Sequence, residues 1–160
     1  MRIASDLFRA VTLALLMALL WPWSSAHAEL SSFAFVQEDG TLRVRGTVVR
    51  LYGITIPPTE QTCYTFMRPP MCGQRALLAL EFKIGGDFIH CAEQTYNADN
   101  TVTAFCTYDK EDLSAWMLQS GWAAALPNAP ANYFVLEDMA RAKGIGIWGI
   151  AVEQAPRRRR

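Results

Sequence analysis

Apolar and polar residues alternate in the segment from about residue 32 to residue 54. Leu42 and Val44 alternate with two arginines, which is the period of a half-buried strand. An Asp-Gly pair at 39–40 is a hairpin signal, and Gly46 marks a second turn or a bulge. A proline pair at 57–58 ends the run. The pattern therefore predicts three consecutive strands between residue 33 and the proline pair.

The rest of the pattern predicts three helices and two more strands. The segment "GQRALLALEFK" has helical spacing, and a Gly-Gly pair ends it. "DFIHCAEQT" and "TVTAFCTY" are two strands joined by "YNADN", and "EDLSAWMLQSGWA" and "NYFVLEDMARAKGIGIW" are two further helices. The face of the first helix that we expect to be buried consists of Ala76, Leu77, Leu80 and Ile84. The order β-β-β-α-β-β-α-α predicts an α+β, mainly β fold, a five-stranded OB barrel with the last helices packed against it.

The first 28 residues have the features of a signal peptide. A start containing Arg2 and Arg9 precedes an apolar run from Ala10 to Leu20, and small residues stand at 26 and 28. We expect cleavage after Ala28 and export to the periplasm or beyond, and the alternative is an uncleaved anchor. A single compact domain would then occupy residues 29–150, with a basic tail at 151–160.

All four cysteines lie in the exported part, which favours disulfides because the compartment is oxidising. A zinc site is the rival interpretation, but no two cysteines have the C-x2-C spacing that such sites usually contain. Three connectivities remain open. We favour the sequential one, Cys63–Cys72 and Cys91–Cys106, in which the second bond would cross-link neighbouring strands.

The net charge of zero hides an acidic body. Residues 29–156 contain 9 basic and 14 acidic side chains, a net charge of about −5, because four arginines stand at 157–160. An acidic body counts against a nucleic-acid ligand, since phosphate binding depends on basic surface. A membrane contact would then involve only the uncleaved signal or the arginine tail. We expect a monomer.

The ordered series "GTLRV", "VVRLYGI", "CGQRALLAL", "IHC" with "AFC", "DLSAWMLQSGWA" and "EDMARAKGIGIW" resembles the staphylococcal-nuclease-like (thermonuclease) family, over about residues 33–148. The resemblance implies the five-stranded barrel with three helices. The four cysteines are similar to those of the exported bacterial branch. In active members, two aspartates hold calcium, a glutamate acts as general base and two arginines clamp the phosphate.

Only one of these five roles is matched in this chain. The resemblance places Arg50 at the first arginine position, in "RLYGI". The other four positions hold residues that cannot supply the chemistry: Gly40 and Thr55 for the metal aspartates, Pro58 for the base and Thr101 for the second arginine. We therefore expect no metal site, no calcium cofactor and no nuclease activity. The alternative is a rearranged site that uses Glu38, Asp39 or Glu60.

Other candidate residues have two interpretations each. Arg50 is either a remaining anion clamp or a structural residue paired with an acid. The apolar loop with Tyr64, Phe66 and Met67 either contacts a partner or packs on the barrel. His90, the one histidine of the exported part, is expected to be half-buried and hydrogen-bonded rather than catalytic. The sequence thus favours an inactive binding or accessory module, with an unknown envelope partner or an anionic polymer as its ligand.

Overall fold

The computed structural model of the chain describes residues 29–58 and 72–149, apart from the side chains of residues 93 and 94. The predicted signal peptide, most of the apolar loop and the basic tail lie outside these residues. None of the helices within the described ranges is long and apolar enough to cross a membrane.

Five strands form the barrel that the sequence predicts. They are β1 (Leu30–Val36), β2 (Leu42–Val44), β3 (Thr47–Leu51), β5 (Phe88–Tyr96) and β6 (Val102–Tyr108). Their order is β3-β2-β1-β5-β6, and a parallel pairing of β3 with β6 closes the ring. This closed mixed barrel has an OB-fold-like arrangement, so the predicted fold class is confirmed.

Local sequence explains the two hairpins that start the barrel. The β1–β2 connection contains the predicted Asp-Gly pair. The β2–β3 connection consists of Arg45 and Gly46, which both have positive φ, at 51° and 84°. Two central residues with positive φ give the turn whose twist matches that of the flanking strands. The turn signal at Gly46 is therefore a tight turn and not a bulge.

Three helices cover the barrel: α1 (Cys72–Ile84), α2 (Leu113–Gln119) and α3 (Ala131–Lys143). The buried side of α1 includes Ala76, Leu80 and Ile84, whereas Leu77 is only half-buried. Asp112 caps α2 by accepting a 2.9 Å hydrogen bond from the backbone N–H of Ser114. The predicted helical segment "EDLSAWMLQSGWA" included this acid, but Asp112 precedes the helix and stabilises its exposed N–H groups.

Three two-residue strands and a 3-10 helix were not predicted. They are β4 (Ile54–Thr55), β7 (Glu111–Asp112), β8 (Ala124–Ala125) and the 3-10 helix Gly146–Trp148. β4 pairs with β8 in a separate two-stranded sheet, which attaches the segment before the proline pair to the chain between α2 and α3. Such short pairings have no period in the sequence, so pattern alone cannot find them.

One apolar core joins the barrel interior to the helices. Its fully buried side chains come from the inner faces of the strands and from all three helices, and they include Leu42, Val44, Val49, Ile89, Val102, Leu80, Met117 and Tyr133. The Cys91–Cys106 disulfide lies in this core, and the two residues face each other across β5 and β6 with their Cα atoms 4.0 Å apart. The predicted cross-strand bond is confirmed. Cys72 is also disulfide-bonded, and its predicted partner Cys63 lies outside the described residues.

Candidate functional site

Two hairpin loops with the same internal hydrogen bonds lie next to Arg50. In the loop at residues 37–41, Asp39 Oδ1 accepts hydrogen bonds from the Thr41 backbone N–H at 3.0 Å and from its hydroxyl at 2.6 Å. In the loop at residues 97–101, Asp99 Oδ1 accepts the same two bonds from Thr101, at 3.1 and 2.6 Å. In each Asp-x-Thr unit, the threonine therefore holds Oδ1 of the aspartate, and Oδ2 is not used within the unit.

The closure seam of the barrel positions Arg50. This residue pairs with Thr103 in the parallel β3–β6 ladder, so its side chain emerges beside the loop that precedes β6. Its Nε donates to the Thr101 hydroxyl at 3.1 Å, and its Nη2 donates to Asp99 Oδ2 at 2.9 Å. The side chains of Arg50 and Asp99 are 50% and 53% exposed, so the pair is solvated and leaves part of the guanidinium accessible.

An open pocket of about 180 Å³ lies against Arg50. Gly40 and Thr55, which stand at the two metal-aspartate positions of the resemblance, both line it. The remaining lining residues come from the first loop and from β3 and β4, and they are Asp39, Thr41, Leu51, Ile54 and Ile56. The structure thus brings together three of the five positions that the resemblance assigns, Gly40, Arg50 and Thr55. Thr101 is next to the pocket because its hydroxyl accepts a hydrogen bond from Arg50. Pro58 is exposed and does not line the pocket.

The two aspartates are held in their charged forms. For Asp39, partial burial raises the pKa, but the hydrogen bonds from Thr41 and the positive charge of Arg50 outweigh it, so the pKa lies below its ordinary value of 3.8. For Asp99, the hydrogen bonds from Thr101 come first and those from Arg50 add to them, so the pKa is likewise lowered. At neutral pH, the positive charge of Arg50 therefore faces two negative carboxylates, those of Asp39 and Asp99, so these three side chains together carry no excess of positive charge.

The residues around the pocket do not fit a calcium ion. Ca²⁺ takes six to eight oxygen ligands, usually with several carboxylates among them. Asp39 is the one carboxylate among the lining residues that the structure describes, and one of its oxygens already accepts two hydrogen bonds. Throughout the part of the chain that the structure describes, no three His, Cys, Asp or Glu side chains are grouped so as to hold a metal ion.

His90 forms a surface cluster with Ser31 of β1 and with Glu29, which directly precedes that strand. Its Nδ1 lies 2.9 Å from the Ser31 hydroxyl and 3.2 Å from Glu29 Oε1. A Ser–His–acid relay needs the hydroxyl on one ring nitrogen and the acid on the other, whereas here both partners contact the same nitrogen. The ring is hydrogen-bonded as expected but exposed rather than half-buried, because its position on β5 points away from the barrel interior.

Sequence reasoning missed Asp99, the partner of Arg50. The signal that could have found it is the recurrence of Asp-x-Thr, as "DGT" at 39–41 and "DNT" at 99–101, in two hairpin connections. The other candidates for binding, Tyr64, Phe66 and Met67, lie outside the described residues, as does Glu60. A scan against protein-family models and a search of curated proteins find no match for this chain.

Proposed function

We propose that this chain is an exported, catalytically inactive relative of the staphylococcal nucleases that acts as a binding or accessory module in the cell envelope. The OB-fold-like barrel supports this proposal. The Cys91–Cys106 disulfide fits a compartment outside the cytoplasm, such as the periplasm. The two barrel loops beside Arg50, at residues 37–41 and 97–101, correspond to the kind of loop with which OB barrels bind ligands.

The observation that carries the proposal is the chemistry of the pocket beside Arg50. Gly40 and Thr55 line it where the resemblance requires two metal-binding aspartates, and neither brings a negative charge. Proline stands at the base position and has no group that can accept a proton from water. A phosphodiester held near Arg50 would thus meet no metal, base or second arginine.

Arg50 is the residue with which the module would hold an anionic group. Its guanidinium is half exposed and lines the pocket, and Thr101 and Asp99 fix its orientation. An incoming anion would compete with Asp99 for the guanidinium, so we expect weak binding, which suits one contact within a larger partner and not a free small ligand.

A metal-dependent phosphodiesterase with a rearranged site is the second candidate, and one observation favours it. Asp39 lines the pocket beside Arg50 and keeps a charged carboxylate there. It would replace the aspartate that is missing at the adjacent position 40.

A nuclease assay on the exported protein separates the two candidates. Single-stranded and double-stranded DNA and RNA are incubated with calcium, magnesium or manganese, and wild-type protein is compared with Arg50→Ala, Asp39→Asn and the control Arg75→Ala. Arg75 is an exposed arginine on α1 outside the pocket. We expect no cleavage above the level of a blank preparation. Cleavage that is lost in Arg50→Ala and Asp39→Asn but kept in Arg75→Ala would establish the rearranged enzyme.

Binding is tested separately, with inorganic phosphate and polyphosphate as probes. We expect polyphosphate to raise the melting temperature of wild-type protein and of Arg75→Ala more than inorganic phosphate does, and neither anion to shift that of Arg50→Ala. Equal shifts in all three proteins would mean that anions do not bind at Arg50, and the pocket would lose its proposed role.

A further inference from the structure

One outer face of the barrel carries three exposed phenylalanine rings, here called the phenyl platform. Phe33 and Phe35 of β1 are 55% and 63% exposed, and Phe88 of β5 is 44% exposed. Phe33 and Phe88 are register partners, and their rings meet edge to face with centroids 5.2 Å apart. The rings therefore form a contiguous apolar surface and are not scattered single residues.

Strand alternation explains why these rings face outward. Ala34 lies between the two phenylalanines of β1 and is buried, and Ile89 follows Phe88 and is buried. The barrel interior is thus filled by small and branched side chains, and the rings contribute nothing to it. Contiguous exposed apolar surface usually marks a contact with another molecule, because leaving it in water is unfavourable.

Two arginines border the platform on the β2 side, where Glu38 also lies beside Phe35. Arg43 of β2 is the register partner of Phe35, and Arg45 follows β2 in the tight turn that leads to β3. Both are exposed, and neither has an ion-pair partner among the residues that the structure describes. An anionic partner could therefore bind these two guanidinium groups without displacing a carboxylate, whereas at Arg50 it would compete with Asp99.

The composition of this surface selects among possible partners. Phenyl rings can stack on a base, but the acidic body counts against a nucleic-acid partner, so the platform favours an apolar layer. A bilayer surface offers both chemistries together, with phosphates above an acyl layer.

The covalent path of the chain agrees with this choice. An apolar run at residues 10–20 precedes Leu30, where β1 begins, and β1 is the strand that carries two of the three rings. During export this run would place the first strand of the domain next to the membrane.

We propose that the phenyl platform docks on a phospholipid bilayer, with its rings at the acyl boundary and Arg43 and Arg45 at the lipid phosphates. This contact is independent of the Arg50 pocket and of the signal segment. It would hold the exported module at the envelope, where the pocket could meet its partner.

Vesicle co-sedimentation of the exported protein, with its N-terminus established by mass spectrometry, tests the proposal. The probes are phosphatidylcholine vesicles with and without phosphatidylglycerol. We expect the double variant Phe33→Ser, Phe35→Ser to partition at least about tenfold more weakly into both, since each ring loses its apolar burial. Arg43→Gln should weaken binding roughly fivefold, and mainly to the anionic vesicles.

Tyr96→Ser is the matched control, because Tyr96 is an aromatic residue of β5 that is even more exposed than the platform rings, at 79%. It lies eight residues from Phe88, roughly 26 Å along the strand. Phe88→Ser provides a second test of the same surface if the double variant melts lower than wild-type protein. The proposal is overturned if wild-type protein does not bind vesicles, or if the platform variants and the control bind equally well. It is also overturned if light scattering shows a dimer that the phenylalanine substitutions dissociate.

Discussion

The guanidinium of Arg50 and the carboxylate of Asp99 lie 2.9 Å apart, and they join strand β3 to the loop between β5 and β6. Both side chains are about half exposed, so the pair contributes little to the free energy of unfolding. Its consequence is positional. Asp99 holds Arg50, the one residue that matches the active-site pattern of the resemblance, in a fixed orientation where β3 and β6 close the barrel.

The pair and its counterpart in the first loop make the acid stability of the protein depend on two aspartates. Their pKa values are lowered in the folded state, so the unfolded chain binds protons more readily, and stability falls as the pH drops from about 4 through the folded pKa values. We expect Asp39→Asn and Asp99→Asn each to flatten this decline in melting temperature. The control is Asp138→Asn, an exposed residue of α3 without a hydrogen bond or ion pair in the described part of the chain. Equal acid curves for all variants would show that the two loops do not stabilise the charged carboxylates.

Calcium is expected to leave the melting temperature of the exported protein unchanged. A ligand that binds only the folded state would stabilise it by about 2.7 kcal/mol at a hundredfold excess over Kd. Here Gly40 and Thr55 line the pocket in place of two carboxylates, so the ion would exchange its hydration mostly for neutral oxygens, with Asp39 as the one charged ligand among the described lining residues. Differential scanning fluorimetry with millimolar calcium and with a chelator measures the effect. A calcium-dependent rise that disappears in Asp39→Asn would instead support the rearranged enzyme.

Loss of the Cys91–Cys106 bond is expected to lower the free energy of unfolding by about 3 kcal/mol. The bond closes a loop of 15 residues, and opening it restores conformational freedom to the unfolded chain. Denaturant unfolding of Cys91→Ala, Cys106→Ala measures this loss, and peptide mapping of the wild-type protein should recover the linked pair. Recovery of Cys91 linked to a different cysteine would contradict the cross-strand bond.

Gly121→Ala is expected to destabilise the protein more than Gly46→Ala. Both glycines have positive φ, which costs a β-carbon roughly 1 to 2 kcal/mol. A β-carbon at Gly121 would also overlap the backbone oxygen of Ile145, whereas one at Gly46 would meet nothing within 4 Å. The overlap should add about 1 to 3 kcal/mol, because the backbone of the 3-10 segment must move. Denaturant midpoints compare the two variants, and equal losses would mean that the two segments do not approach so closely.

The five barrel strands and the tight turn between β2 and β3 could be predicted from the sequence because they depend on neighbouring residues. Alternation at Leu42 and Val44 and the turn at Gly46 each act within a few positions. The pairing of Cys91 with Cys106 could be predicted for a similar reason, since a short connection places the two strands side by side. The resemblance also named residues that do meet, because Gly40, Arg50 and Thr55 line one pocket.

Only the tertiary structure decided which distant residues became partners. The contact between Arg50 and Asp99 joins positions far apart in the chain, and it exists because β3 and β6 close the barrel in parallel. The outward rings of Phe33 and Phe88 come together through the β1–β5 register, and neither strand's own pattern specifies that register. Alternation tells which side chains share a face of one strand, but the closure and stagger of the barrel determine which strands lie side by side.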